Sequence, residues 1–127
     1  MPKWWIGLVS VGHSDQRRTI FDVVKGGVEG KMINQISAFD CLFAGNYIGR
    51  HYHKKMWEVY YIFSGEGTMH MRDIASGEEM SAPMGPRFRA IVPPNVVHEL
   101  VATTDMTLII AATGEQGPHD TFFPVRD

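Results

Sequence analysis

The chain has 127 residues, a formal net charge of -2 and a hydrophobic fraction of 44%. This length allows one domain with one core, and the near-neutral charge disfavours a general nucleic-acid binder. The apolar runs are too short for a signal peptide or a membrane span, so we expect a cytoplasmic protein.

Short apolar runs separated by Gly, Pro, Asn and Asp are typical of an all-β barrel or sandwich. In chain order, the predicted strands cover Thr19 to Val24, Lys31 to Phe43 (one or two strands), Tyr47 to His53, Glu58 to Phe63, Thr68 to Arg72, Arg87 to Val92, Val97 to Ala102 and Met106 to Ala112. After Gly114 we expect an irregular arm or an edge strand.

The single cysteine, Cys41, excludes an intrachain disulfide and fits a reducing compartment. It lies in the apolar run from Phe39 to Ala44, which favours a buried structural thiol.

Four residues have the chemistry of a metal site: His51, His53, Glu58 and His98. Side chains alternate along a strand, so the first two histidines share a face. Glu58 lies five residues after His53, which would place it on the opposite face of one continuous strand, so a turn through residues 54–56 is needed to bring it to the same face. His98 must come from a distant strand. Only a closed or folded-over sheet brings all four together. The alternatives are ordinary packed histidines, or a barrel that kept these residues without a metal.

Two tyrosines are candidate acid or base groups. Strand parity places Tyr60 and Tyr47 on the inward face beside the four residues, although for each alone a core aromatic is the favoured interpretation. His70 lies between Met69 and Met71, which have the pattern of a core face, so its side chain is expected on the opposite face.

The segments around these residues resemble the two cupin motifs. Gly45 through Gly65 has every named position of the first motif, and Pro93 to His98 is similar to the second. The second motif departs from the pattern at three positions. Asn95 stands where glycine is usual, Gly85 is two residues farther from the proline than usual, and Ala102 replaces the usual asparagine.

This resemblance implies a double-stranded β-helix, or jelly-roll barrel, over roughly residues 19–113, with arms at both ends of a single cupin domain spanning residues 1–127. It assigns metal-ligand roles to His51, His53, Glu58 and His98, with Zn, Fe, Mn or Ni as the divalent ion. Cupins carry many reactions, so the resemblance specifies the fold more closely than the chemistry.

Shorter stretches, including Asp15 to Arg17 and His51 to Lys55, resemble cupins that epimerise or isomerise keto-hexoses on nucleotide sugars. Related 3,4-ketoisomerases typically lack the carboxylate, so Glu58 places this chain on the metal-using side. The leading hypothesis is a metal-dependent carbohydrate isomerase or epimerase. The alternatives are an Fe(II)-dependent dioxygenase and a non-catalytic cupin that binds a sugar or small acid.

Aromatic residues near both ends of the chain favour a homodimer. Trp4, Trp5, Phe122 and Phe123 could lie across a partner subunit, or could cover the open edge of their own barrel.

Overall fold

The protein is described by a computed structural model covering residues 4–124. Its strands are β1 (Trp5–Leu8), β2 (Val11–Ser14), β3 (Thr19–Phe21), β4 (Gln35–Leu42), β5 (Tyr47–His51), β6 (Glu58–Ser64), β7 (Gly67–Asp73), β8 (Glu79–Met84), β9 (Phe88–Val92), β10 (Val96–Ala102) and β11 (Met106–Ala112). A short 3-10 helix, Pro118–Asp120, follows them. Within the described residues, no helix is long and apolar enough to cross a membrane.

The strands form two main antiparallel sheets and one hairpin. The five-stranded sheet has the order β1-β9-β6-β11-β4, the four-stranded sheet has the order β5-β10-β7-β8, and β2 pairs with β3. Every pairing is antiparallel. The predicted all-β jelly roll is therefore confirmed.

The main core lies between the two large sheets and follows from alternation along the strands. β10 alternates fully between buried and partly exposed residues, which is the pattern of a strand with one face on a core. Tyr60 and Ile62 of β6 meet Met69 and Leu100 of the facing sheet in this core. The site described below lies at one end of it.

A second cluster covers part of the outer face of the five-stranded sheet. Val28, from the long segment between β3 and β4, packs with Trp57, Val59 and Ala111. Trp57 is 9% exposed, so it packs in this cluster beside the loop that joins two of the site residues.

The structure adds strands that the sequence interpretation did not include. β1 precedes the predicted start of the barrel, yet it pairs with β9 at an edge of the larger sheet. In the described part of the chain, β8 pairs only with β7. It contains Pro83, which an edge strand tolerates because one side of its backbone needs no ladder partner.

The prediction that Cys41 is buried is wrong. Its side chain is exposed on β4, because the register against β11 shifts between Phe39 and Leu42, which breaks the alternation and directs Leu42 into the core instead.

Candidate metal centre

A β-bulge sets the direction of His51. Gly49 and Arg50 have φ of 104° and 67°, and the register of β5 against β10 shifts between His98 and Glu99. Such an extra residue re-aims the side chains that follow it. His51 consequently pairs directly with His98 across the sheet.

Glycine is required at the first bulge position. A Cβ on Gly49 would collide with the carbonyl oxygen of His98, and the positive φ disfavours any L-residue there. One glycine therefore fixes the backbone beside His51 and His98, two of the predicted ligands.

His53 begins the loop that leads to β6 and is 2% exposed. Its Nδ1 lies 2.6 Å from the backbone carbonyl oxygen of Asp120, so Nδ1 carries the proton and donates it to that oxygen. Its Nε2 faces the interior, 2.9 Å from Oε1 of Glu58.

The loop through residues 54–57 corrects the parity as the sequence predicts, and Glu58 opens β6 as a buried carboxylate. His98 is fully buried at 0% exposure on β10. Its Nδ1 lies 3.1 Å from the carbonyl oxygen of Val96, and its Nε2 lies 3.0 Å from Oε1 of Glu58.

The structure brings all four predicted ligands together. One donor atom from each of His51, His53, Glu58 and His98 lies within 4.8 Å of the others. Ligand atoms held at about 2.1 Å from one ion are separated from one another by about 3–4 Å. A small movement of these side chains toward one another would therefore bring all four atoms to bonding distance from a divalent cation.

Three of the four donor atoms also lack an aligned hydrogen bond. Nε2 of His53, Nε2 of His98 and Oε1 of Glu58 are buried and have no hydrogen-bond partner among the described residues. The two nitrogens are close enough to the carboxylate oxygen for hydrogen bonds, but they are not aligned with it. Two buried ring nitrogens that lie 2.9 and 3.0 Å from one carboxylate oxygen without an aligned hydrogen bond fit a bound cation.

The electrostatics suit ligand protonation states at His51 and Glu58, whereas burial of His53 is outweighed by its contacts with Glu58 and Asp120, which raise its pKa. Burial, with the neighbouring imidazoles His98 and His53, lowers the pKa of His51 from 6.5 to about 4, so its ring is neutral at pH 7. Although burial raises the pKa of Glu58, its contacts with the same two imidazoles outweigh burial and hold that pKa well below the usual range. A neutral imidazole and an ionised carboxylate are the forms that bind a metal.

The two candidate tyrosines differ in position. Tyr60 points inward as predicted: it is 0% exposed, and its ring centroid lies 6.1 Å from that of His98. Burial, and secondarily Glu58, raises its pKa well above 10. The hydroxyl therefore remains protonated at neutral pH.

The prediction that Tyr47 points inward is wrong. Its side chain is 45% exposed, and its ring lies 3.5 Å from the guanidinium carbon of Arg50 on the outer surface. The cause is the bulge, because one extra residue between Tyr47 and His51 reverses the parity that the sequence implied.

Two residues near the C-terminus contact the site and were missed by the sequence interpretation. Gln116 Nε2 donates a hydrogen bond of 2.8 Å to Oε2 of Glu58. Asp120 is 5% exposed and contacts both His53 and the loop that follows it. Neither lies in a periodic segment, so no spacing signal pointed to them.

Comparisons with known proteins agree with this fold. No curated protein sequence matches the chain. The RmlC epimerase of Mycobacterium tuberculosis superposes with a TM-score of 0.77 and 19% identity, over 94% of this chain and 68% of that chain. A 3,4-ketoisomerase from Helicobacter canadensis superposes with a TM-score of 0.80 and 14% identity, over 96% and 91%.

A third similar structure is the capsular polysaccharide assembling protein CapF of Staphylococcus aureus, with a TM-score of 0.62 and 23% identity. The match covers 70% of this chain but 26% of that one, so the chain corresponds to about a quarter of CapF. Together these structures confirm the cupin fold and the predicted resemblance to sugar-nucleotide epimerase and isomerase cupins.

A family model also matches most of the sequence. It is described as the polysaccharide biosynthesis C-terminal domain, and it matches residues 13–116, a range that contains all four clustered residues. The chain belongs to the polysaccharide biosynthesis C-terminal domain family.

Proposed function

We propose that this protein is a metal-dependent isomerase or epimerase of a keto-sugar or nucleotide sugar. The observation that carries the proposal is the convergence of one donor atom from each of His51, His53, Glu58 and His98 on one point, three of them buried without a hydrogen-bond partner among the described residues. The names of the similar structures, an epimerase and 3,4-ketoisomerases, support the reaction class.

In this proposal His51, His53, Glu58 and His98 hold a divalent ion, which can be Zn, Fe, Mn or Ni. Bound there, the ion would polarise a sugar carbonyl and make the neighbouring carbon more acidic. Four protein ligands leave positions open in an octahedral site. Among the four, His51 alone is not fully buried, so substrate would enter from its side.

Tyr60 is the proposed proton donor. It is buried beside His98, and its raised pKa keeps the hydroxyl protonated, so it can donate a hydrogen bond or a proton to an oxygen that gains negative charge. Tyr47 has no place in this proposal, because it lies on the outer surface.

Metal analysis of the purified protein tests the site. We expect about one equivalent of a divalent metal in the wild-type protein and a strong loss in His51→Ala. His70→Ala is the matched control, because His70 is an exposed histidine on a neighbouring strand, hydrogen-bonded to Ser81. Full occupancy in His51→Ala would contradict the ligand assignment.

Deuterium exchange tests the reaction without knowledge of the product. We expect the protein to incorporate solvent deuterium beside the carbonyl of TDP-4-keto-6-deoxyglucose, the nucleotide sugar bound in one similar ketoisomerase structure. Deuterium exchange that continues after complete metal removal would support the isomerase activity but would contradict a role for the metal in the reaction. Iron-dependent oxygen uptake would favour a dioxygenase, and binding without exchange would favour a non-catalytic cupin.

We further propose that the chain, as one cupin domain, forms a homodimer. Ile36 and Phe63 lie on the outer face of the five-stranded sheet and are 64% and 57% exposed, and Met32, which lines the same groove as Ile36, is 84% exposed. Exposed apolar side chains grouped on one sheet face support association with a second copy. Sedimentation should show a dimer that Phe63→Asp dissociates, whereas a wild-type monomer would contradict it.

A further inference from the structure

The C-terminal arm, residues 115–124, runs along the end of the barrel where the four clustered residues meet. The backbone of Phe122 in the arm forms a β-bridge with Tyr52, which lies between His51 and His53 in the sequence. The rings of Tyr52 and Phe122 are stacked. The arm therefore has a defined path across the loop that joins His53 to Glu58.

Asp120 acts on that loop through its carboxylate. Oδ1 accepts a hydrogen bond of 2.8 Å from the backbone N–H of Lys54. Oδ2 accepts from the N–H groups of Lys55 and Met56, at 3.2 Å and 3.0 Å. Three consecutive backbone donors held by one buried carboxylate fix the loop conformation that places Glu58 opposite the histidines.

The same residue acts on His53 through its backbone. The carbonyl oxygen of Asp120 accepts the Nδ1 proton of His53, which leaves Nε2 as the nitrogen that faces the cluster. The carboxylate anchors Asp120 to the loop, so the position of this carbonyl depends on the side chain.

Gln116 supplies the corresponding contact for the carboxylate ligand. Its Nε2 donates to Oε2 of Glu58, which leaves Oε1 facing the histidines. The backbone N–H of Gln116 donates to Oε1 of Gln35 at 2.7 Å, so the residue is itself held in place by β4.

We infer that Gln116 and Asp120 are positioning residues of this centre: the arm orients Glu58 through one and His53 through the other. The inference rests on the proposed function for the identity of the bound group. Outer contacts of this kind orient ligands and change metal affinity without touching the metal.

Titration with Co(II), whose visible absorption reports its ligand geometry, tests the inference. Asp120→Ala and Gln116→Ala should each weaken Co(II) binding about 10- to 100-fold and alter the spectrum. Asp120→Asn keeps one acceptor oxygen and should show a smaller loss. Glu115→Ala is the matched control: it removes the same charge from the same arm, but Glu115 is exposed and has no hydrogen bond to the site among the described residues.

Imidazole NMR of the metal-free protein supplies a readout independent of metal. We expect a downfield, exchange-protected Nδ1–H signal from His53 in the wild-type protein and in Glu115→Ala, and its loss in Asp120→Ala. A wild-type protein that fails to bind Co(II) would overturn the proposed metal function. Persistence of the signal in Asp120→Ala, or unchanged Co(II) affinity in a folded Gln116→Ala, would overturn the positioning role instead.

Discussion

Gly49 and Arg50 decide where His51 points, because both adopt a positive φ within an otherwise extended strand. The bulge rotates the end of β5 so that its last residue meets His98. Strain at such a position is retained only where the surrounding structure holds it, and here it lies directly beside the clustered donor atoms.

Substitution of Gly49 should therefore destabilise the protein more than substitution of a glycine that has a positive φ but no close neighbour. We expect Gly49→Ala to lower the free energy of unfolding by about 3 kcal/mol, from backbone strain together with the collision with the His98 carbonyl. Gly45→Ala is the control, since its φ is 85° but a Cβ there would meet nothing within 4 Å, and it should cost roughly 1 kcal/mol. Urea denaturation measures both, and equal losses would contradict the argument from close approach.

The two tyrosines provide a second test at this scale. Tyr60→Phe removes a buried hydroxyl beside His98 and should lower the rate of deuterium exchange into a keto-sugar by about 100-fold or more, with the metal retained. Tyr47→Phe alters a ring on the outer surface and should leave that rate unchanged. If both variants exchange at the wild-type rate, Tyr60 is not the proton donor.

The sequence could predict which four side chains converge but not all of their surroundings. Strand parity and the loop after His53 account for His53, Glu58 and His98, whereas the direction of His51 is set by the bulge at Gly49 and Arg50. The orientation of Tyr47 could not be predicted, because a single inserted residue reverses parity and leaves no signal in composition. The role of Asp120 was hidden for another reason: its contact with His53 is made by a backbone carbonyl, which every residue carries.

The strands differ sharply in burial and in the number of neighbouring strands with which they pair. β6 lies in the middle of its sheet, between β9 and β11, and its first five residues are buried. Among residues 4–124, β2 pairs only with β3, and all of its residues are exposed. The sequence predicts β6 well because its apolar run is long. The sequence does not indicate β2 or β8, because Gly12 and Pro83 interrupt their short apolar runs. Pairing with neighbouring strands nonetheless makes both segments strands.

Hydrogen exchange should reveal this difference between elements. A two-stranded hairpin without a core face is marginal in water, so amides of β2 and β3 should exchange rapidly in dilute protein. Amides of β6 and β11 should exchange only on global opening. If a second copy covers the hairpin, its protection will increase with protein concentration, and equal protection of both regions at high dilution would contradict the assignment.

At the scale of the whole molecule, the site couples the two sheets. Glu58 belongs to the five-stranded sheet, whereas His51 and His98 belong to the four-stranded sheet. The buried carboxylate and imidazoles at this junction have lost their hydration, and Nε2 of His53, Nε2 of His98 and Oε1 of Glu58 have gained no aligned hydrogen bond in return. The sequence predicts that the sheets must close over these residues, but not which strands form the edges, because edge identity depends on long-range pairing.

A cation at this junction should consequently stabilise the entire fold. At a free metal concentration 100 times Kd, linkage adds about 2.7 kcal/mol to the free energy of unfolding, which should raise Tm by roughly 10 °C in a domain of this size. His51→Ala should lose most of that increase, while His70→Ala, which changes a histidine outside the cluster, should keep it. Thermal melts with and without Zn(II) measure the shift. An equal increase in both variants would mean that the metal stabilises the protein from some other site.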